Sequence, residues 1–133
     1  MKIAICGSFA FARQMVSAAK KLTEMGHLPI LPIDTMAAIE DISIIYDVNR
    51  AIEKDIIRDQ LSKIIESDAI LVLNYDRSGV PGYIGGSSLI EMGFAYYFKK
   101  KIFLLFPIPD LSYKIDIEFM QPVILSGNLE QLK

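Results

Sequence analysis

Five consecutive residues, Ala69-Ile70-Leu71-Val72-Leu73, leave no polar face on which an extended segment could meet water. Such a strand is stable only when covered on both sides, as at the centre of a parallel sheet flanked by helices. The rest of the chain follows the same logic. Lys2 to Cys6 is a β-type run that stops at Gly7-Ser8, and His27 to Leu31 is a second, closed by Pro32. Ile102 to Phe106 is a further strand closed by Pro107 and Pro109, and Val123-Ile124-Leu125 reads as a short edge strand. Between these runs the apolar period changes to three and four. Phe11, Met15, Ala18, Ala19 and Leu22 predict a helix from about Phe9 to Met25. Asn49 to Glu66 predicts one amphipathic helix with Ile52, Ile56, Leu61, Ile64 and Ile65 inward. Ser88 to Phe98 and Tyr113 to Met120 predict two more, while 34–48 fits a short helix, a loop or a flexible lid. Repeated strand–helix alternation predicts an α/β fold in one domain over 1–133, a parallel sheet with helices on both faces.

Composition narrows the function classes. A chain of 133 residues that is 52% hydrophobic can bury a real core. A net charge of −2 with no long basic run argues against a nucleic-acid polymer as partner. The single cysteine, Cys6, excludes an intramolecular disulfide and a multi-cysteine metal site. The apolar run after Lys2 is too short for a signal peptide, and no stretch reaches transmembrane length, so a cytoplasmic protein without membrane contact is expected.

Two loops follow strands at the end of the sheet where α/β proteins place their chemistry. Cys6-Gly7-Ser8-Phe9-Ala10 joins the first strand to the first helix. Glycine there allows a ligand close to the backbone, and free amides at a helix start favour an anion, although an ordinary serine-capped turn has the same sequence. It lacks the lysine and distal glycine of a Walker loop and the spaced glycines of a dinucleotide fingerprint. The second loop, Asn74 to Tyr83, is long for a compact α/β domain and leads to Gly85-Gly86-Ser87-Ser88 and on to Glu91. Glu91 falls in the predicted first helical turn, where the dipole would hold it ionised as a nucleophile requires. Ser88-Leu89-Ile90-Glu91 also matches a capping box, which would give the same carboxylate a purely structural role. Gly93 and Ala95 fit close packing of that helix on the sheet.

The order of Gly7-Ser8, Ser67-Asp68-Ala69-Ile70-Leu71-Val72-Leu73, Glu91-Met92-Gly93-Phe94-Ala95 and Lys101-Ile102-Phe103-Leu104-Leu105 resembles the nucleoside 2-deoxyribosyltransferase family and its relative, the 2′-deoxynucleoside 5′-phosphate N-hydrolase. The resemblance spans Lys2 to about Phe106. It implies a doubly wound, Rossmann-like or flavodoxin-like fold and cleavage or transfer at the bond between a nucleobase and C1′ of deoxyribose. It implies Glu91 as nucleophile, a 5′-phosphate held by Ser8 and the amides around Gly7, and no metal or other cofactor. Asn74, Asp76, Tyr83, Gly86, Ser87 and Ser88 complete the candidate substrate contacts, with Tyr75 and Tyr83 able to stack on a base or simply to pack. A segment near the C-terminus completes the neighbouring subunit's site in that family, so Tyr113 to Met120 implies a homodimer or larger assembly.

Two family positions depart from the pattern. The family carries an aspartate, or in the hydrolase a serine, six residues before the glutamate; this chain has Gly85. A second family aspartate corresponds to Gln60, with Asp59 beside it on another helical face. Asp68, at the amino end of its strand, reads as structural. A non-catalytic nucleotide or nucleotide-sugar sensor on the same scaffold is the alternative function.

Overall fold

The computed structural model describes residues 1–133. Five parallel strands lie in the order β2-β1-β3-β4-β5. They are β1 Lys2–Cys6, β2 Leu28–Ile30, β3 Ala69–Val72, β4 Lys101–Leu104 and β5 Val123–Ile124. The all-apolar segment is the central strand: every residue of β3 is buried, paired with Ile3–Cys6 on one side and Lys101–Leu104 on the other.

Side-chain alternation along the strands divides the core into two layers. Ile3, Ile5, Leu71 and Phe103 pack against Met15 and Leu22 of α1 (Ala12–Glu24). Ala4, Cys6, Ile70, Val72 and Leu104 face the opposite layer. There they meet Ile64 of α4 (Ile56–Ile65), Met92 and Ala95 of α5 (Gly86–Tyr97), and Ile117 of α6 (Lys114–Phe119). This is a doubly wound α/β fold with flavodoxin-like strand order. The chain moves outward from β1 to β2, then crosses back to β3 and continues the other way. That reversal opens a crevice at the carboxyl ends of β1 and β3. No helix is long and apolar enough to cross a membrane.

The structure redraws three expected elements. The helix expected over 49–66 is two helices, α3 (Val48–Glu53) and α4, separated by a break at which Asp55 adopts φ 51°. Ile65, one residue past the inward Ile64 on α4, is 42% exposed, and the break leaves Ile52 of α3 outside as well, at 70% exposure. The reason lies at Asp34, which is buried and takes ion pairs from Arg50 Nη2 at 3.1 Å and Lys54 Nζ at 3.3 Å. The break lets α3 stay with Asp34 while α4 lies on the sheet. Burial pushes the Asp34 carboxyl up, but Arg50 and Lys54 outweigh it and hold the group below its ordinary range.

The ambiguous segment resolves into α2 (Thr35–Glu40) and a short 3-10 turn over Ile42–Tyr46. Asp41 caps that turn through Ser43 N at 3.0 Å, and Asp47 caps α3 through Arg50 N at 3.0 Å. Helix α5 starts at Gly86, two residues before the predicted Ser88. Gly93 is exposed, and a Cβ there would meet nothing, so it does not serve close packing; Ala95 does. Asp68 is structural: its Oδ2 accepts from Lys2 N at 2.7 Å at the amino end of the sheet.

Candidate active site

The long loop after β3 is closed at its base by side chains that sequence reading assigned to substrate. Asn74 is completely buried. Its Nδ2 donates to Phe106 O at 2.9 Å, Pro107 O at 3.2 Å and Gly82 O at 3.4 Å, while Phe106 N donates to its Oδ1 at 2.8 Å. Asp76 Oδ1 accepts from Gly82 N at 3.0 Å. Neither residue lines the cavity described below. Turn residues that satisfy backbone groups are the commonest use of Asn and Asp in loops, and that use has won here. Tyr75 packs edge-on between Phe11 and Phe106, with ring centroids 5.3 and 5.4 Å away.

Gly82 sits where those attachments converge, at φ 67°. A Cβ there would lie 2.7 Å from Pro107 O. Gly82→Ala combines a left-handed backbone with a clash against a carbonyl, and is expected to destabilise the fold by about 2 kcal/mol or more. Urea denaturation measures it; a change within experimental error would show that the loop base is not rigid.

Between this loop, the β1–α1 junction and α4 lies a cavity of about 300 Å³. It brings together Gly7, Ser8, Tyr83, Gly86, Ser87, Ser88 and Glu91 from the expected set. Gly7 has φ 147° and lies against β3, where a Cβ would come 3.0 Å from Leu73 O. Ser8 caps the 3-10 turn Phe9–Phe11, its Oγ accepting from Ala10 N at 3.2 Å. The exposed side chains of Tyr46, Ile57 and Ile90 give the mouth an apolar rim.

Glu91 is the sixth residue of α5, because the helix begins at Gly86. It is therefore further along the helix than the sequence predicts, beyond the first turn, and the capping box does not form. Gly85 is the cap position, and no side chain makes a cap hydrogen bond. The Oε2 atom of Glu91 is buried without any hydrogen-bond partner. Burial raises its pKa to about 7, with the neighbouring Cys6 thiol only partly offsetting the rise. This reverses the expectation that the helix dipole would hold the group ionised, since the dipole acts mainly within the first turn. The Cys6 thiol is itself pushed up, by its burial and then by the Glu91 charge.

Arg77 belongs to the cavity and was missed. Its Nη1 donates to Ser8 Oγ, and its guanidinium lies 5.7 Å from the centre of the Tyr83 ring. No carboxylate is within ion-pair distance of it. The available signal was its position as the only cation in a long βα loop. The two departing positions also have physical accounts. A side chain at Gly85 would begin 3.1 Å from Tyr83 Oη and 3.3 Å from its Cε1, so the Tyr83 ring occupies the ground a family aspartate would need. Gln60 is buried and reaches from α4 to the end of β1.

No protein-family model and no curated protein matches the chain. Among solved structures it is similar to the 2-deoxyribosyltransferase of the psychrotolerant bacterium Bacillus psychrosaccharolyticus, with a TM-score of 0.51 and 20% sequence identity over 79% of this chain and 72% of that one. At that identity the likeness is one of architecture: the protein has the α/β fold of a 2-deoxyribosyltransferase.

Proposed function

We propose that the protein cleaves or transfers at the N-glycosidic bond of a (deoxy)nucleoside or its 5′-monophosphate, with Glu91 as nucleophile. The observation that carries this reading is the buried, unpartnered Oε2 of Glu91 beside the cavity at the strand carboxyl ends. A structural carboxylate would be paired or hydrogen-bonded, because leaving it unmade costs several kcal/mol. The solved deoxyribosyltransferase of similar fold supports the reaction class.

In the proposed reaction the ionised carboxylate attacks C1′ and the C1′–N bond breaks, its electron pair leaving with the base. The base takes up a proton from solvent. Water, or the nitrogen of a second base, then attacks C1′, gives up its proton to solvent and releases the carboxylate, completing hydrolysis or transfer. Arg77 Nη1, Ser8 Oγ and the Gly7 amide are suited to a 5′-phosphate, since an unpaired guanidinium and free amides favour an anion. The Tyr46, Ile57 and Ile90 rim offers the base an apolar seat, and Tyr83 takes the supporting place vacated at Gly85. The reading includes a homodimer in the cytoplasm. Ile115 and Phe119, 60% and 71% exposed on α6, are the residues expected to meet the second copy.

The test is base release from a panel of nucleosides, deoxynucleosides and their 5′-monophosphates, followed by chromatography with and without an acceptor base. Release in buffer alone identifies a hydrolase, and dependence on the acceptor a transferase. If no member of the panel loses its base, the enzyme reading fails; tight binding without turnover would then identify a sensor.

The raised pKa sets the pH profile. Glu91 must lose its proton to act, so kcat/KM is expected to rise with pH through an inflection at about 7 and then level off. A profile already flat at about pH 5 would show that Glu91 is ionised well below neutrality, or is not the group that reacts.

A further inference from the structure

We infer that Gln60 is a specificity-determining acceptor for a hydroxyl group of the bound sugar, an inference that rests on the proposed reaction. Gln60 is only 6% exposed, yet it lines the cavity. Its Nε2 donates to Ile5 O at 3.0 Å and to Cys6 Sγ at 3.6 Å. An amide nitrogen has two hydrogens, and these two contacts use both. They also fix which way the amide points, because a backbone carbonyl can only accept. The remaining polar atom, Oε1, has no protein donor and is not sealed from the cavity.

A locked carbonyl oxygen on a side chain this deeply buried has one use for a ligand: it accepts a hydrogen bond. Its place in the cavity names the donor. Cys6 lies against both Gln60 and Glu91, so the amide is one side chain away from the reacting carboxylate. In the proposed reaction C1′ must approach Glu91, and the donors nearest C1′ are the hydroxyls of the ring that carries it. The amide also differs in charge from the aspartate that the resembling family carries at this place. A carboxylate at 60 would add a second negative charge beside Glu91 and could not donate to Ile5 O. Glutamine therefore binds without exchanging a proton, leaving Glu91 as the only carboxylate that lines the cavity.

The experiment is calorimetric titration of a nucleoside 5′-monophosphate and its analogues lacking the 2′- or the 3′-hydroxyl, each with adenine and with hypoxanthine. The titrations use the Glu91→Gln variant, so that nothing turns over, with and without Gln60→Leu. With Gln60 present, loss of one hydroxyl is expected to weaken binding about tenfold, because a buried acceptor is left unmade. With the Gln60→Leu substitution added, the same pair of ligands is expected to bind equally.

Leucine also leaves Ile5 O without its donor, so a Gln60→Leu variant that does not fold is foreseeable. The analogue series with Gln60 intact then decides alone. The inference is overturned if no hydroxyl matters, if the discrimination follows the base amine, if it persists without Gln60, or if no member of the series binds. Base release by the wild type without hydroxyl discrimination sinks this inference and leaves the proposed function standing. Discrimination without base release does the reverse.

Discussion

Replacing Glu91 with glutamine is expected to lower base release at least roughly a thousandfold while making the protein more stable above neutral pH. The first effect follows from removing the nucleophile from the proposed reaction. The second follows from its environment. The folded-state pKa of about 7 lies above the ordinary 4.5, so the folded protein holds a proton that the unfolded chain has released between those values. Stability therefore falls as pH rises through that window, and above it the ionised group costs up to about 3 kcal/mol. Glutamine keeps the size and removes the charge. Thermal melts at about pH 8 should show the variant several degrees above the wild type, with the gap closing at about pH 5. A variant that keeps base release, or a gap independent of pH, would refute the role given to this carboxylate. Gain of stability with loss of activity separates a functional group held under strain from one kept for the fold.

Replacing Arg77 with methionine should divide the substrates. If the guanidinium holds a 5′-phosphate, KM for a nucleoside 5′-monophosphate rises about a hundredfold, the scale of one or two charge-assisted hydrogen bonds. The corresponding nucleoside should be affected little. Methionine preserves most of the stem that lies near Tyr83, so packing loss is small. Equal loss for nucleoside and monophosphate would assign Arg77 to ordering the loop through Ser8 instead. Steady-state kinetics on the two substrates distinguish these outcomes, and the expected dependence on phosphate should weaken with added salt.

The layer architecture was legible because it is written in apolar period. β3 has no polar face, and α1 carries Met15, Ala18 and Leu22 on one side, so both could be placed from spacing alone. The break at Asp55 was not legible. Its cause is the pairing of Arg50 and Lys54 with Asp34, a contact across 16 to 20 residues that no local pattern records. The start of α5 was missed for a different reason. Ser88 is a strong capping residue, but Gly85 takes that position by backbone geometry, Gly86 opens the helix, and Ser88 is left buried inside it.

The site divided in the same way. Gly7, Ser8 and Glu91 meet because strand order puts the carboxyl ends of β1 and β3 side by side, which the alternation of elements already implied. Asn74 and Asp76 are polar residues in the same loop, yet they point into its base. Which way a loop side chain turns depends on the backbone groups left unsatisfied nearby, here those of Gly82, Phe106 and Pro107.

The attachment of that loop has a bearing on how such a protein can change. Asn74 and Asp76 anchor its two ends, and Arg77 and Val80 exchange backbone hydrogen bonds at 2.9 and 3.2 Å to close its tip. Ser78 and Gly79 hold that tip in left-handed backbone, at φ 53° and 75°, which few other residues accept, while Arg77 beside it reaches Ser8 at the cavity. New ligand preferences are accessible through Arg77 and Tyr83, the residues of this loop segment that line the cavity, with the sheet and its two layers untouched. For directed evolution, Arg77 and Tyr83 are the places to vary, and the short turn and Asn74 the places to hold fixed.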